Sequence, residues 1–317
     1  MYSRPHALRG YLYIACAALL WGISASLGRA AFTGRLLPAG QAIAPVDPLI
    51  LSQTRVTVSF VVLLLVLGFR RGWRALLISR TDVGRMVVLG TVGMAASNFF
   101  YYLAIQRTNV ATAIILQYTA PLWVLLYTAA RAKRWPTAQQ ILAVFLALIG
   151  IALLINLFGE FRLDHLGLVV ALIAAFSFAF YNVAAHSVLA RYDRWIVILY
   201  VTGSAAAFWM LADPPWKIWR THYSGGEWAF LIVFAIVSAL LPFLFYAAGL
   251  QHLEPTRAMI ASCTEPVFTI AIAALALGEL MGPLQVLGIV LVLVAILVVE
   301  MPGRRARADA ALVEPIE

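Results

Sequence analysis

Charge is scarce in this sequence: its 317 residues include only 23 Lys or Arg and 14 Asp or Glu, 12% in all. Soluble domains carry about twice that share. With 63% hydrophobic residues and a mean hydropathy of +0.91, water is excluded as the main solvent of the folded chain. Cysteine is nearly absent. Cys16 and Cys263 both sit inside apolar runs, which excludes a disulfide framework and gives no sign of a metal site. Histidine is as sparse, and His6, His165, His186, His222 and His252 are scattered, so the cluster a membrane enzyme needs at one bilayer face is missing. No phosphate-binding P-loop sequence occurs, so ATP hydrolysis by this chain is unsupported, and no cofactor is implied. The shortage of acid leaves a net charge of +9, but the basic residues alternate with apolar spans of about 20 residues. That pattern answers to anionic headgroups and membrane topology, not to nucleic acid.

What is present is long apolar runs. A hydrocarbon core about 30 Å thick needs about 20 helical residues. Ten windows fit: Leu8–Gly28, Pro48–Phe69, Gly84–Gln106, Val110–Ala130, Ala138–Asn156, Leu166–Leu189, Trp195–Leu211, Trp228–Leu250, Thr256–Leu277 and Pro283–Val299. The first resembles a secretory signal, with Arg4 and Arg9 ahead of it and small residues at Ser24, Ala25 and Ser26. Its length and the nine similar spans that follow favour an uncleaved helix. Arg4, Arg9, Arg70, Arg71, Arg74, Arg80, Arg131, Lys133, Arg134, Arg191, Arg194, Arg304, Arg305 and Arg307 all fall on one side of such a bundle, which is therefore the cytoplasmic side. The opposite loops hold Arg35, Arg107, Arg162, Lys217 and Arg220 together with Asp47, Glu160, Asp164, Asp213 and Glu227. Both termini are thus predicted inside, in a cytoplasmic membrane, with a polar cytosolic tail over 301–317. Cysteine labelling is expected to find Thr33 to Asp47 outside and Arg70 to Arg80 inside, and the reverse pattern overturns this topology.

The sequence also repeats itself. Phe100, Tyr101, Gln106, Ala113, Ile115, Thr119 and Pro121 recur 145 residues later as Phe245, Tyr246, Gln251, Ala258, Ile260, Thr264 and Pro266. Gln140 and Leu142 recur as Gln285 and Leu287 without a gap, and Ala17 and Ala18 recur as Ala174 and Ala175 at an offset of 157. The long first loop accounts for the difference. Two five-helix halves are predicted, 8–156 and 166–300. Because five is odd, the second enters the membrane from the opposite side. Inverted halves of this kind are a transporter architecture, although duplication alone also yields a ten-helix bundle.

Leu20-Trp21-Gly22, Asp47-Pro48, Arg55, the run from Asn98 through Tyr102, Ala104, Thr108, Ala111 and Ala113 to Pro121, and then Glu265-Pro266, Gly278-Glu279, Gln285 and Gly288 follow one another in a familiar order. In these residues the chain resembles the drug/metabolite transporter superfamily, in particular the ten-helix EamA-type carriers, over nearly its whole length. The resemblance implies an all-α membrane protein with a substrate cavity lined by both halves, and substrates such as amino acids and other metabolites, often exported. Where that family often has an acidic residue before the proline of helix four, this chain has Ala120.

Polar residues within the spans are the candidate site. Glu265 lies about 12 Å of helix beyond Arg257, near the midplane, where it is suited to a coupling proton, to a substrate's ammonium group, or to a structural pair with Arg55. Pro266 and Pro121 each deprive their helix of a backbone bond and mark a kink, leaving a carbonyl for a substrate or, in the second half, for Ser262. Asn98, Gln117 and Asn182 suit either a neutral polar ligand group or bonds between helices. Tyr101, Tyr102, Tyr118, Tyr181 and Trp21 form an aromatic wall or simply core. His186 is assigned to the headgroup region. The fifth and tenth spans, Ile141 to Ile155 and Val286 to Val299, hold no polar side chain and read as scaffold. The expectation is a secondary carrier of a small polar metabolite, working by alternating access, that needs the bilayer but no nucleic acid, metal or evident protein partner. A carrier of lipophilic cargo is the alternative, and its mark is a lateral opening flanked by apolar residues.

Overall fold

A computed structural model describes residues 7–32, 47–108, 110–155, 164–213, 216–277 and 282–301. The rest of the predicted outer loop from Thr33, the loop residues Glu160 and Arg162, the Gly278-Glu279 motif and the tail from Pro302 lie outside them. Among the described residues all regular secondary structure is helical, and we number the helices α1 (Ala7–Phe32), α2 (Pro48–Arg71), α3 (Arg80–Arg107), α4 (Val110–Gln117), α5 (Ala120–Ala132), α6 (Ala138–Leu154), α7 (His165–Leu189), α8 (Arg194–Ala212), α9 (Trp216–Arg220), α10 (Gly225–Leu250), α11 (Pro255–Ser262), α12 (Glu265–Leu277) and α13 (Pro283–Glu300). Eight helical stretches among them are long and apolar enough to cross a bilayer, with the 17-residue apolar α6 in addition. Every backbone polar group inside a bilayer must be bonded within the protein, and each helical span achieves this on its own.

Caps set where the helices begin. Asp47 accepts from the amide of Leu49 at 2.7 Å with Pro48 at the first helical position, and Asp164 accepts from Gly167 at 2.9 Å. Thr137 with Gln140 and Ser224 with Glu227 close reciprocal capping boxes. Polar caps belong at the wet ends of spans, and these lie there.

Small residues then decide which helices touch. A Cβ on Gly249 would strike Ile14 of α1 at 2.4 Å, and one on Gly22 would come within 3.0 Å of the Thr269 amide in α12. Backbones approach this closely only where side chains vanish, and in lipid such packing replaces the hydrophobic effect between helices. α6 and α13 pack on each other at Gly150 and Gly288. Their outer faces, including Ile149 at 51% exposed and Val294 at 36%, look outward, as the scaffold reading expects. Replacing either by Leu should leave transport nearly unchanged in a vesicle assay, and a large kinetic loss would remove these helices from the scaffold.

α3 and α10 each carry π-helical turns, over Leu89–Ala95 and Ile236–Leu240. Such turns shift the helix register and free carbonyls. At the first of them α3 meets α8, where a Cβ on Gly90 would lie 2.5 Å from the Val201 carbonyl.

The arginine-rich end of the bundle is laced by polar ties between distant segments. Arg71 pairs with Asp193, Tyr192 donates to Asp82 at 2.6 Å, and Glu300 accepts from Tyr11 and pairs with Arg257 at 3.1 Å. The hydrogen bond to Asp82 holds the Tyr192 phenol above its ordinary range, so this tie persists through neutral pH. At the other end Lys217 pairs with Asp213 four residues before it.

One side of the bundle, between α2, α3 and α8, carries an apolar groove of about 720 Å³.

Candidate functional site

The helix carrying Glu265 is broken where the residue begins its second part. α11 ends at Ser262, the amide of Cys263 bonds the carbonyl of Ile260 at 3.1 Å, that of Thr264 bonds Ala261 at 3.2 Å, and α12 starts at Glu265. The Thr264 hydroxyl closes on Ala261 at 2.8 Å. α4 and α5 are separated in the same way: the Thr119 amide and hydroxyl both reach the carbonyl of Leu116, at 3.1 and 2.6 Å, just ahead of Pro121. Both predicted kinks are therefore two-residue breaks, tightened by a threonine and relieved by a proline that cannot donate. The carbonyl that Ser262 engages is that of Met259, at 2.8 Å, so this serine caps its own turn rather than the carbonyl freed by Pro266.

Counting about 1.5 Å per residue from Pro255, Glu265 lies about 15 Å into the bundle, half the thickness of a hydrocarbon core. It is deep, and its side chain is half-buried, as are those of Tyr118, Tyr101 and Tyr102. The Tyr118 phenol stands close enough to the Glu265 carboxylate for each to feel the other. Tyr101 feels the same charge, and its ring lies 5.6 Å from that of Tyr102. Each broken helix thus brings one group of the pair, Tyr118 from one and Glu265 from the other.

Arg55 acts on Glu265 electrostatically, but among the described residues it makes no ion pair with it. The guanidinium instead donates to Asn98 Oδ1 at 3.4 Å, and Asn98 Nδ2 donates at 2.7 Å to the Met94 carbonyl in the π-helical turns of α3. The irregular turn therefore fixes the amide, and the amide holds the arginine. A carboxylate and a guanidinium within electrostatic reach of each other offer both signs of charge to one small ligand. The direct Arg55–Glu265 pair weighed from the sequence is not formed.

The aromatic wall divides in two. Tyr101, Tyr102 and Tyr118 stand with Glu265, whereas Trp21 and Tyr181 are buried elsewhere, each edge-on to Phe243, at 5.4 and 5.7 Å between ring centroids. Trp21 also meets Tyr246 at 5.4 Å. Asn182, fully buried, accepts from the Tyr246 hydroxyl and donates to the Phe178 carbonyl at 2.8 Å, which makes it a bond between helices α7 and α10. Tyr246→Phe strands the Asn182 oxygen and is expected to cost about 1–3 kcal/mol, read as a lower Tm with binding unaltered. Gln117 ends α4 just before the break, partly accessible and with no side-chain hydrogen bond among the described residues. His186 lies partly buried in the last turn of α7, toward the arginine-rich end.

Sequence reasoning passed over the neighbours of Arg55. Ser52, Gln53, Thr54 and Thr57 bury side-chain oxygens without a partner, and such groups call for water or ligand. The run Ser-Gln-Thr-Arg-Val-Thr-Val-Ser over 52–59 was the available signal. Among the described residues no group of three His, Cys, Asp or Glu is placed to hold a metal.

An all-helical bundle with several apolar spans and ionisable side chains at their depth defines a multi-pass membrane protein. The chain belongs to the EamA-like transporter family, whose model matches residues 8–156 and again 165–301. It is 25% identical over 319 residues to the uncharacterized inner membrane transporter YicL of Salmonella typhimurium, covering 96% of this chain and 98% of that one. It is 25% identical to the transporter YwfM of Bacillus subtilis, covering 95% and 97%. A solved crystal structure superposes with a TM-score of 0.75 at 19% identity over 93% of this chain and 98% of its own, a likeness of fold.

Proposed function

We propose that this membrane transporter is a secondary carrier of a small polar metabolite, an amino acid or related compound, which it exports across the cytoplasmic membrane by alternating access. The observation that carries the reading is the meeting of Glu265 with Tyr118 at two broken helices. Residues 118–119 and 263–264 are 145 positions apart, as are the π-helical stretches 91–95 and 236–240, and this supports ten spans in two inverted halves. Broken helices can tilt their two parts separately, so the pair of charges is opened to one face at a time. An α-amino acid offers an ammonium group for Glu265 and a carboxylate for Arg55. When no substrate is bound, a proton on Glu265 is the natural substitute, which couples export to proton entry.

The groove between α2, α3 and α8 shares no residue with this constellation. It gives lipophilic cargo no route to the carboxylate, and the polar substrate is preferred.

The test is counterflow in proteoliposomes with a pooled panel of labelled amino acids, with and without an imposed pH gradient. Accumulation of one class that follows the gradient is expected. Exchange indifferent to the gradient removes the proton, and silence across the panel overturns the substrate class.

A further inference from the structure

The groove of about 720 Å³ falls within the range of about 300–1,000 Å³ that holds whole small molecules. It follows α8 from Leu199 to Leu211, about 18 Å of helix, which is longer than one leaflet's share of a core about 30 Å thick. Its walls are Phe60, Leu64, Val87, Leu199, Phe208 and Leu211. The hydroxyl groups in it are already bonded within the protein: Tyr200 donates to the Leu76 carbonyl at 3.0 Å, Ser204 to the Tyr200 carbonyl at 2.7 Å and Thr91 to the Val87 carbonyl at 2.8 Å. An occupant therefore gains nothing from polarity along the groove. It must be a long apolar chain.

Next to part of the groove's lining the sequence is strongly basic. Trp73, Leu76 and Leu77, from the short 3₁₀ turn joining α2 to α3, form its rim, and Arg70, Arg74 and Arg80 stand exposed beside them in sequence. Arg71 is taken by Asp193 and Arg85 by Asp82, but these three arginines make no ion pair among the described residues. Trp73 packs over the end of α2, where a Cβ on Gly68 would meet its ring at 2.6 Å, so the rim is held in place by the protein itself. An apolar groove about one acyl chain long, with exposed arginines that make no ion pair next in sequence to its lining, complements one kind of molecule.

We propose that this groove is a binding site for an anionic phospholipid of the inner leaflet, with one acyl chain along α8 and its phosphate on Arg70, Arg74 and Arg80. Phosphate suits guanidinium groups geometrically as well as electrostatically. The lipid is a resident of the fold rather than cargo, and it braces α2, α3 and α8 on the side of the bundle that carries Arg55 and Asn98.

The experiment offers the purified full chain an equimolar mixture of phosphatidylglycerol and phosphatidylcholine with identical acyl chains, and reads retained lipid by native mass spectrometry. One phosphatidylglycerol is expected in preference to phosphatidylcholine. Arg74→Gln should weaken that preference roughly fivefold. Ala207→Trp, at an exposed position on the groove wall, should expel the lipid altogether. Equal retention of the two lipids overturns the proposal, as does phosphatidylglycerol held unchanged by both variants. A doubled mass that Ala207→Trp reduces to a single chain would show a second copy as the occupant instead. Should either variant misfold, rising salt must release phosphatidylglycerol from the unaltered chain before phosphatidylcholine, and indifference to salt is equally fatal.

Discussion

Glu265→Gln is expected to abolish gradient-driven transport while the protein still inserts and keeps its Tm. Glutamine has the size of glutamate and keeps an acceptor oxygen, so packing at the start of α12 survives. What disappears is the charge, and with it both the partner of a substrate ammonium group and the group that takes up a proton. A hydrogen bond to a charged group is worth about 1.5–3 kcal/mol, or roughly 10- to 150-fold in affinity. Loss of coupling multiplies that effect on accumulation against a gradient. Uptake into vesicles and a thermal melt, measured on one preparation, separate the possibilities. A lower Tm with proportionate loss of activity would make Glu265 structural, and an intact rate would remove the carboxylate from the mechanism. Arg55→Gln is the companion measurement: if the guanidinium receives the substrate's carboxylate, KM rises while the response to the pH gradient remains.

Much of this molecule can be read before it is folded, because a bilayer leaves few options. Apolar windows about 20 residues long become helices, and Asp164 or Ser224 ahead of such a window becomes its cap. The prolines at 121 and 266 advertise a break, although their position alone does not reveal that the chain tightens two residues earlier on Thr119 and Thr264. The site is less legible, since a polar residue in a span has two fates that look alike in sequence. Asn98 and Asn182 are both amides at membrane depth. One holds Arg55 within electrostatic reach of Glu265; the other is sealed between α7 and α10 by Tyr246. The helix rotations that separate these fates depend on the π-helical turns in α3 and α10, and no local motif announces those. Aromatic residues mislead for the same reason. Trp21 and Tyr181 share a type with Tyr101 but point into the core.

The interface of α6 with α13 predicts the largest change in stability. Gly150 and Gly288 face each other so closely that a Cβ on Gly150 would lie 2.8 Å from the Gly288 carbonyl and 2.8 Å from Val292 Cγ2, and a Cβ on Gly288 would lie 2.6 Å from the Gly150 carbonyl. Four of the six atoms that these Cβ atoms would meet within 3.0 Å are backbone, two of them carbonyl oxygens, which cannot turn aside as a side chain can. Substituting leucine at either position must therefore drive the two helices apart, and every side chain along the seam loses van der Waals contact, including Leu154 and Val292. Adding side-chain bulk to a packed interior typically costs about 1–3 kcal/mol, and a seam whose obstacles are backbone belongs at or above the upper end. Gly150→Leu should accordingly lower the melting temperature far more than Ile149→Leu, one residue away on the outward face. Gly150→Ala is expected to fall between the two. A melt that ranks Ile149→Leu as the more damaging would mean that α6 and α13 are not held together at these glycines, and the scaffold against which the broken helices tilt would have to lie elsewhere.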